Sequence, residues 1–285
     1  MQSDLLALAA IALWSTLATL GVKLGHVPPF LLTGIALLTG SLISLPLARW
    51  KVAQWKVPLP TFCIGVAGLF GYHFLLFMAL RSAPAVEANL VNYLWPLGIV
   101  VLGPVFFPGN RLRWHHILAA LAGFTGAAIA IVGRGDTGLA WSGAGSGAGF
   151  HSGYLLAAAG ALVWSCYSLM TRRLPRFPTA AVGGFAAASG LLALLCHVLL
   201  EPAVTLSVRD SVLLAVLGLG PLGGAFYLWD AALKRGEPRR IGLLAFATPI
   251  LSTVLLLLST GQGLHWNVGL AALLVVGGAL WGSRD

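Results

Sequence analysis

Charge is what this 285-residue chain has least of. Asp, Glu, Lys and Arg make up 9% of it against 58% hydrophobic residues, and the mean hydropathy is +0.91. So little polar surface cannot clothe a soluble domain, which places the chain in a lipid bilayer. Its eight acidic residues are scattered without pairing. A membrane enzyme acting on lipid or an isoprenoid carrier needs paired carboxylates or a metal cluster at an interface, so that class is disfavoured. Cysteine is also scarce: Cys63, Cys166 and Cys196 lie in apolar stretches at no metal-ligand spacing and read as small buried hydrophobes. No Walker-type glycine loop, HExxH or CxxC pattern is present, which leaves ATP hydrolysis and metal catalysis without support. No catalytic residue, metal or cofactor is therefore expected.

What is abundant is long apolar runs. A membrane-spanning helix needs roughly 20 apolar residues, and ten such segments are expected, at 5–24, 30–49, 61–80, 85–107, 114–133, 152–173, 179–200, 210–233, 239–258 and 266–282. Their connections are short, so no domain outside the membrane is expected. The first segment lacks a basic leader and reads as a structural span, not a cleaved signal. The net charge of +9 could suggest a nucleic-acid partner, but its placement argues otherwise. With a cytoplasmic amino terminus, thirteen Lys/Arg, among them Lys51, Arg111, Arg173 and Arg240, fall on the inner side. Only Lys23, Arg81, Arg134 and Arg209 fall on the outer side. That is the positive-inside bias, with both termini cytoplasmic and no nucleic acid among the expected partners.

The chain also repeats itself. Trp14-Ser15, Lys23-Leu24 and Pro28 recur as Trp164-Ser165, Arg173-Leu174 and Pro178 at a spacing of 150. Ala79-Leu80-Arg81 and Pro96 recur as Ala232-Leu233-Lys234 and Pro249 at 153. Trp114, Leu118 to Leu121 and Gly126-Ala127 recur as Trp266, Leu270 to Leu273 and Gly278-Ala279 at 152. Five crossings per copy turn the second copy upside down, and equivalent connections carry opposite charge bias. The expected fold is all-α and integral to the membrane, with ten transmembrane helices in two inverted-topology five-helix repeats. The repeats occupy 1–140 and 154–285 and are joined by a Gly/Ser-rich connection at 141–153. Inverted repeats of this kind build transporters around a site at the bilayer midplane.

Unusual residues gather at that depth. Trp14 and Trp164 sit near the middle of spans one and six, and Tyr72-His73 within about a turn of the middle of span three. Pro96 and Pro249 interrupt spans four and nine, and Gly218 to Gly224 with Pro221 weaken span eight. A mid-span proline frees a carbonyl, which lipid tolerates only where protein or a watery cavity satisfies it. The pair thus marks a cavity and a candidate hinge in each half. His73 can bind a substrate, pass a proton, or sit neutral on a backbone carbonyl. Asn89, Asn92, Tyr93 and Pro96 share one helical face, with Trp95 beside them, offering amide, phenol and ring to a zwitterion; the amides could equally hold helices together. Asp230 reads as an i, i+4 partner of Lys234 ahead of a proton-coupling site, and Glu87 as helix N-terminal charge or a partner of Arg81.

These residues carry a resemblance to the drug/metabolite transporter superfamily, in its EamA-type branch. It rests on Leu13-Trp14-Ser15, Ala79-Leu80-Arg81 with Pro84-Ala85 and Ala88, Trp95-Pro96-Leu97, Ala232-Leu233 and Thr248-Pro249, and it covers essentially the whole chain. Tyr72-His73 and Asn92 to Pro96 are similar to that branch's exporters of aromatic amino acids. The resemblance implies a basket-like bundle in the bacterial inner membrane that exports Phe, Tyr, Trp and related small molecules. The inverted repeats and paired prolines suit alternating access, and a monomeric assembly is allowed. The expected substrate-binding residues are Trp14, Tyr72, His73, Asn89, Asn92, Tyr93, Trp95 and Trp164, with Pro96 and Pro249 gating. A broad multidrug or metabolite exporter and a passive facilitator channel stay open beside it. A nucleotide-sugar carrier is disfavoured because Lys and Arg are missing at the midplane.

Overall fold

The computed structural model describes residues 2–109, 111–132, 152–260 and 266–282, and these form helices with no strand among them. Eight helices are long and apolar enough to cross a membrane. They are α1 (Gln2–Lys23), α2 (Pro29–Leu47), α3 (Leu59–Ser82), α4 (Glu87–Phe106), α6 (Ser152–Arg173), α7 (Thr179–Leu200), α8 (Val208–Arg235) and α9 (Pro238–Ser259). Two shorter apolar helices are α5 (Trp114–Ala130) and α10 (Trp266–Gly282). The expected connection at 141–153 lies almost wholly outside the described residues.

Proline sets many of the starts. Pro28, Pro58, Pro84 and Pro178 precede the first helical residue, and Pro238 occupies the first turn of α9. Proline suits these positions because its fixed φ is already helical and its missing N–H is not needed there. The start of α8 is closed differently, by a capping box in which Ser207 and Asp210 each satisfy the other's backbone N–H.

The helices are irregular at matched places. A π-helical turn interrupts α3 at Ala67–Gly71 and α8 at Gly220–Gly224, and the offset between the two is the one that carries Ala79 onto Ala232. The α4 rod breaks between Asn92 and Trp95, and α9 breaks at Phe246, which matches Tyr93 at that same offset. Each break lies just ahead of Pro96 or Pro249. A proline has no N–H to donate to the carbonyl four residues back and its ring crowds that carbonyl, so the chain turns there. For the same reason the single continuous face expected for Asn89, Asn92, Tyr93 and Pro96 is corrected: Tyr93 and Leu94 form a turn that divides it. The interruption of α1 at Thr16 has no counterpart in α6, which runs unbroken.

Two pairs of helices that match in sequence also pack against each other, and each pair runs antiparallel. Along α2 and α7 the near neighbours are Gly34 with Leu194, Leu38 with Gly190, and Ser44 with Gly183, one number rising as the other falls. Along α5 and α10, a Cβ on Gly126 would lie 2.8 Å from the Ala271 carbonyl, and one on Gly278 would lie 2.7 Å from the Ala119 carbonyl. Gly126 matches Gly278 and Ala119 matches Ala271 in the sequence repeat, so this contact is reciprocal. In lipid, where helices gain nothing from hiding apolar surface from water, small residues that let backbones approach supply much of the association.

The buried interior divides into a large cluster drawn from α1 to α4 and α6 to α9 and a second one formed by α4, α5, α9 and α10. Large apolar side chains cover the outside, Val198 and Leu273 among them. That surface suits lipid and would be insoluble in water. Cys63 departs from the sequence reading. It is exposed on α3, and Cys166 and Cys196 are half-buried. Lipid is as apolar as a protein core, so a small thiol gains nothing by turning inward.

Candidate functional site

Aromatic rings from both halves of the chain meet at the centre of the large cluster. Trp14 touches Trp95, Trp164 and Phe226 with centroid separations of 6.1, 6.0 and 6.2 Å. Trp229 closes the group, 5.1 Å from Trp14 and 5.6 Å from Trp95. Tyr72 joins it through Trp164 at 5.2 Å, and His73 through Phe226 at 6.0 Å. All of these but Tyr72, which is half-buried, are less than a tenth exposed. Most pairs sit edge to face, which sets the positive rim of one ring against the negative face of the next and adds about 0.5–1.5 kcal/mol per pair.

Polar groups border the rings. His73 Nδ1 lies 2.6 Å from the Leu69 carbonyl oxygen, one turn back along α3. Only a protonated Nδ1 can make that contact, so in the neutral ring Nε2 is the acceptor. Asn92 donates from Nδ2 to the Tyr72 hydroxyl at 3.1 Å, while its buried Oδ1 has no partner among the described residues. An unpartnered buried amide oxygen costs about 1–3 kcal/mol, and it is an acceptor available to an incoming donor. Ser165 Oγ lies within hydrogen-bonding distance of the carbonyls of both Trp95 (2.8 Å) and Ala161 (2.7 Å), linking the break in α4 to α6.

Of the residues expected from sequence, Trp14, Tyr72, His73, Asn92, Trp95 and Trp164 are joined in one chain of contacts. Asn89 and Tyr93 are half-buried in and beside the last turn before the α4 break, where the Tyr93 amide donates to the Asn89 carbonyl at 3.0 Å. Pro96 is buried at the start of the second α4 segment. Pro249 lies in the second segment of α9, where its carbonyl accepts from Thr253 at 2.7 Å. Sequence reasoning missed Phe226, Trp229 and Ser165. The signal for Phe226 was its alignment with His73, and for Ser165 its place beside Trp164.

Asp230 pairs with Lys234 at 2.7 Å, as the i, i+4 spacing suggests. Glu87 is exposed in the first turn of its helix, and Arg81 instead turns to the Leu200 carbonyl at 3.4 Å.

The sequence model of the EamA-like transporter family matches the chain twice, over residues 1–132 and 151–283. The chain belongs to this family. An aromatic amino acid exporter YddG of Ancylobacter novellus is 42% identical over 98% of this chain and 96% of its own length. A protein of the same name from Escherichia coli K12 is 27% identical over 98% of this chain and 96% of its own. A solved structure known only as a crystal structure of a protein superposes with a TM-score of 0.88 at 41% identity, covering 99% of this chain and 96% of that one. The EamA-like chain is thus an integral membrane protein of a transporter family, with its aromatic cluster inside the helical bundle.

Proposed function

We propose that this chain is a secondary carrier that exports aromatic amino acids from the cytoplasm across the bacterial inner membrane by alternating access. The observation that carries this reading is the joined cluster of Trp14, Tyr72, Trp95 and Trp164, bordered by His73 and Asn92. Rings that already stack on one another can part to admit a further ring of the same kind, and tryptophan faces attract an ammonium group. Asn92 Oδ1 and His73 Nε2 are acceptors for a ligand's N–H groups, with Asn89 and Tyr93 nearby to complete the polar end. The export direction is supported by the names of the full-length relatives.

Residues 1–140 and 154–285 act as two five-helix repeats of inverted topology, with both termini cytoplasmic. The antiparallel contacts of α2 with α7 and of α5 with α10 support this, because equivalent helices of inverted copies must run in opposite directions. The breaks ahead of Pro96 and Pro249 serve as the hinges.

The test is uptake of radiolabelled phenylalanine into liposomes bearing the purified protein, with and without a pH gradient, competed by tryptophan and by alanine. Saturable uptake blocked far better by tryptophan is the expected result, and the gradient's effect distinguishes facilitated from proton-coupled movement. Uptake no greater than that of empty liposomes under both conditions would overturn the reading.

A further inference from the structure

The polar groups that border the central rings are all neutral, whereas an amino acid brings two full charges. We infer that Asp230 and Lys234 are the charged anchor for the head group of the transported amino acid. This inference rests on the aromatic amino acid reading and moves the charged head group to this pair, leaving His73 and Asn92 to the ligand's other polar atoms, such as an indole N–H.

Phe226, Asp230 and Lys234 follow one another at intervals of four residues on the α8 segment Ala225–Arg235. They form a single stripe of ring, carboxylate and ammonium, with about 6 Å between successive levels. The stripe begins inside the aromatic cluster, where Phe226 touches Trp14, His73 and Trp164. A ring-bearing zwitterion has the same order of parts along its length, which lets its ring lie against Phe226 while its head group reaches the next turn.

The hydrogen bonding leaves room for that head group. Asp230 is 2% exposed, and its Oδ2 accepts from Lys234 Nζ at 2.7 Å and from Thr179 Oγ1 at 2.6 Å. Its Oδ1 is buried and has no partner among the described residues. Lys234 Nζ donates to Asp230 and, at 3.0 Å, to the Phe177 carbonyl. An ammonium has three protons; no acceptor atom among the described residues takes the third, which a carboxylate can claim in place of the Nζ contact with the Phe177 ring, 3.6 Å from its centroid. A zwitterion can therefore add its ammonium to Asp230 Oδ1 and its carboxylate to Lys234 Nζ without breaking the existing pair. Four alternating charges then stand together, with no net charge buried. A carboxylate with one satisfied oxygen and one bare one is costly in a purely structural pair, and a ligand that visits the site removes that cost.

The test measures binding by calorimetry in lipid nanodiscs for three ligands: phenylalanine, 2-phenylethylamine, which lacks the carboxylate, and 3-phenylpropionate, which lacks the amine. Asp230→Asn should weaken phenylalanine and phenylethylamine by about tenfold or more and leave phenylpropionate unchanged. Lys234→Met should weaken phenylalanine and phenylpropionate instead. The neutral double variant Asp230→Asn/Lys234→Met leaves no unpaired charge and so guards against misfolding of the single variants; it should lose the preference for the zwitterion. Full phenylalanine affinity in the double variant, or equal weakening of all three ligands in each single variant, would overturn the anchor while leaving the transport reading intact. Failure of the unaltered protein to bind any of the three would overturn the transport reading and the anchor with it.

Discussion

Trp14 and Trp164 occupy matching positions of the sequence repeat and meet edge to face, with ring centroids 6.0 Å apart and planes at 74°. His73 and Phe226, also matched in the repeat, meet in the same way at 6.0 Å. Residues at matching positions of two copies touch each other only where those copies converge, on the axis that relates them. The proposed repeat therefore has its axis running through the aromatic cluster. One member of the second pair is an imidazole and the other a phenyl ring, so a symmetric frame presents chemically different sides to a ligand.

Trp14 and Trp164 should accordingly be needed for transport more than for assembly. Trp14→Ala and Trp164→Ala each remove two or more ring contacts from the cluster, and each is expected to lower phenylalanine uptake into liposomes by about tenfold or more. Replacement by Phe should retain more activity than replacement by Ala. The amount of protein inserted, measured in the same liposomes, should change little. Uptake equal to that of the unaltered protein in both Ala variants would remove these rings from the site.

Ser165 supplies a different kind of support, because its hydroxyl ties the Trp95 carbonyl at the start of the second α4 segment to α6. A Cβ on Gly98 would lie against the Ser165 hydroxyl, so the two helices leave no spare room there. Ser165→Ala should cost about 1 kcal/mol through the lost hydrogen bond and loosen the placement of Trp95. Ser165→Val, which adds bulk at that contact, should be worse by about 1–3 kcal/mol. Thermal unfolding in detergent should rank the unaltered protein above the Ala variant and the Ala variant above the Val variant.

The glycine seam between α5 and α10 gives a sharper contrast. Gly278 faces the Ala119 backbone so closely that any Cβ must displace it, whereas a Cβ on Gly269 of the same helix meets nothing within 4 Å among the described residues. Gly278→Val should therefore separate the two helices and lower the unfolding temperature markedly. Gly269→Ala should be neutral or stabilising by up to about 1 kcal/mol, as alanine favours helix over glycine. Equal behaviour of the two variants would show that the seam does not hold the halves together.

Much of this frame was legible in the sequence, for physical reasons that can be named. Long apolar runs reveal membrane helices because lipid demands them, and Pro96 and Pro249 reveal breaks because the ring forbids a backbone hydrogen bond. Six of the eight expected binding residues fall into one connected set because rings and amides at membrane depth have few other places to go. The π-helical turns at Ala67–Gly71 and Gly220–Gly224 were not legible as such, since glycine-rich segments are compatible with several backbone forms. Trp229 was missed because its neighbour Asp230 drew attention to charge. The lipid-facing position of Cys63 was missed because apolar residues in a membrane protein face both inward and outward.

Orientation is the remaining property that a direct experiment can fix. The bias of thirteen Lys/Arg against four predicts that Arg111 is cytoplasmic and that the connection between α7 and α8 is periplasmic. Thr205 in that connection and Arg111 are both exposed, so each is reachable once converted to cysteine. The native Cys63, Cys166 and Cys196 are first replaced by alanine, so that each introduced thiol stands alone. In that background, Thr205→Cys should be labelled in intact cells by a thiol reagent that cannot cross the membrane. Arg111→Cys should be labelled only after the membrane is opened. The reverse pattern would place both termini outside. That would turn a carrier whose Lys234 end of α8 receives substrate from the cytoplasm into one that receives it from the periplasm, and export would no longer follow from the same geometry.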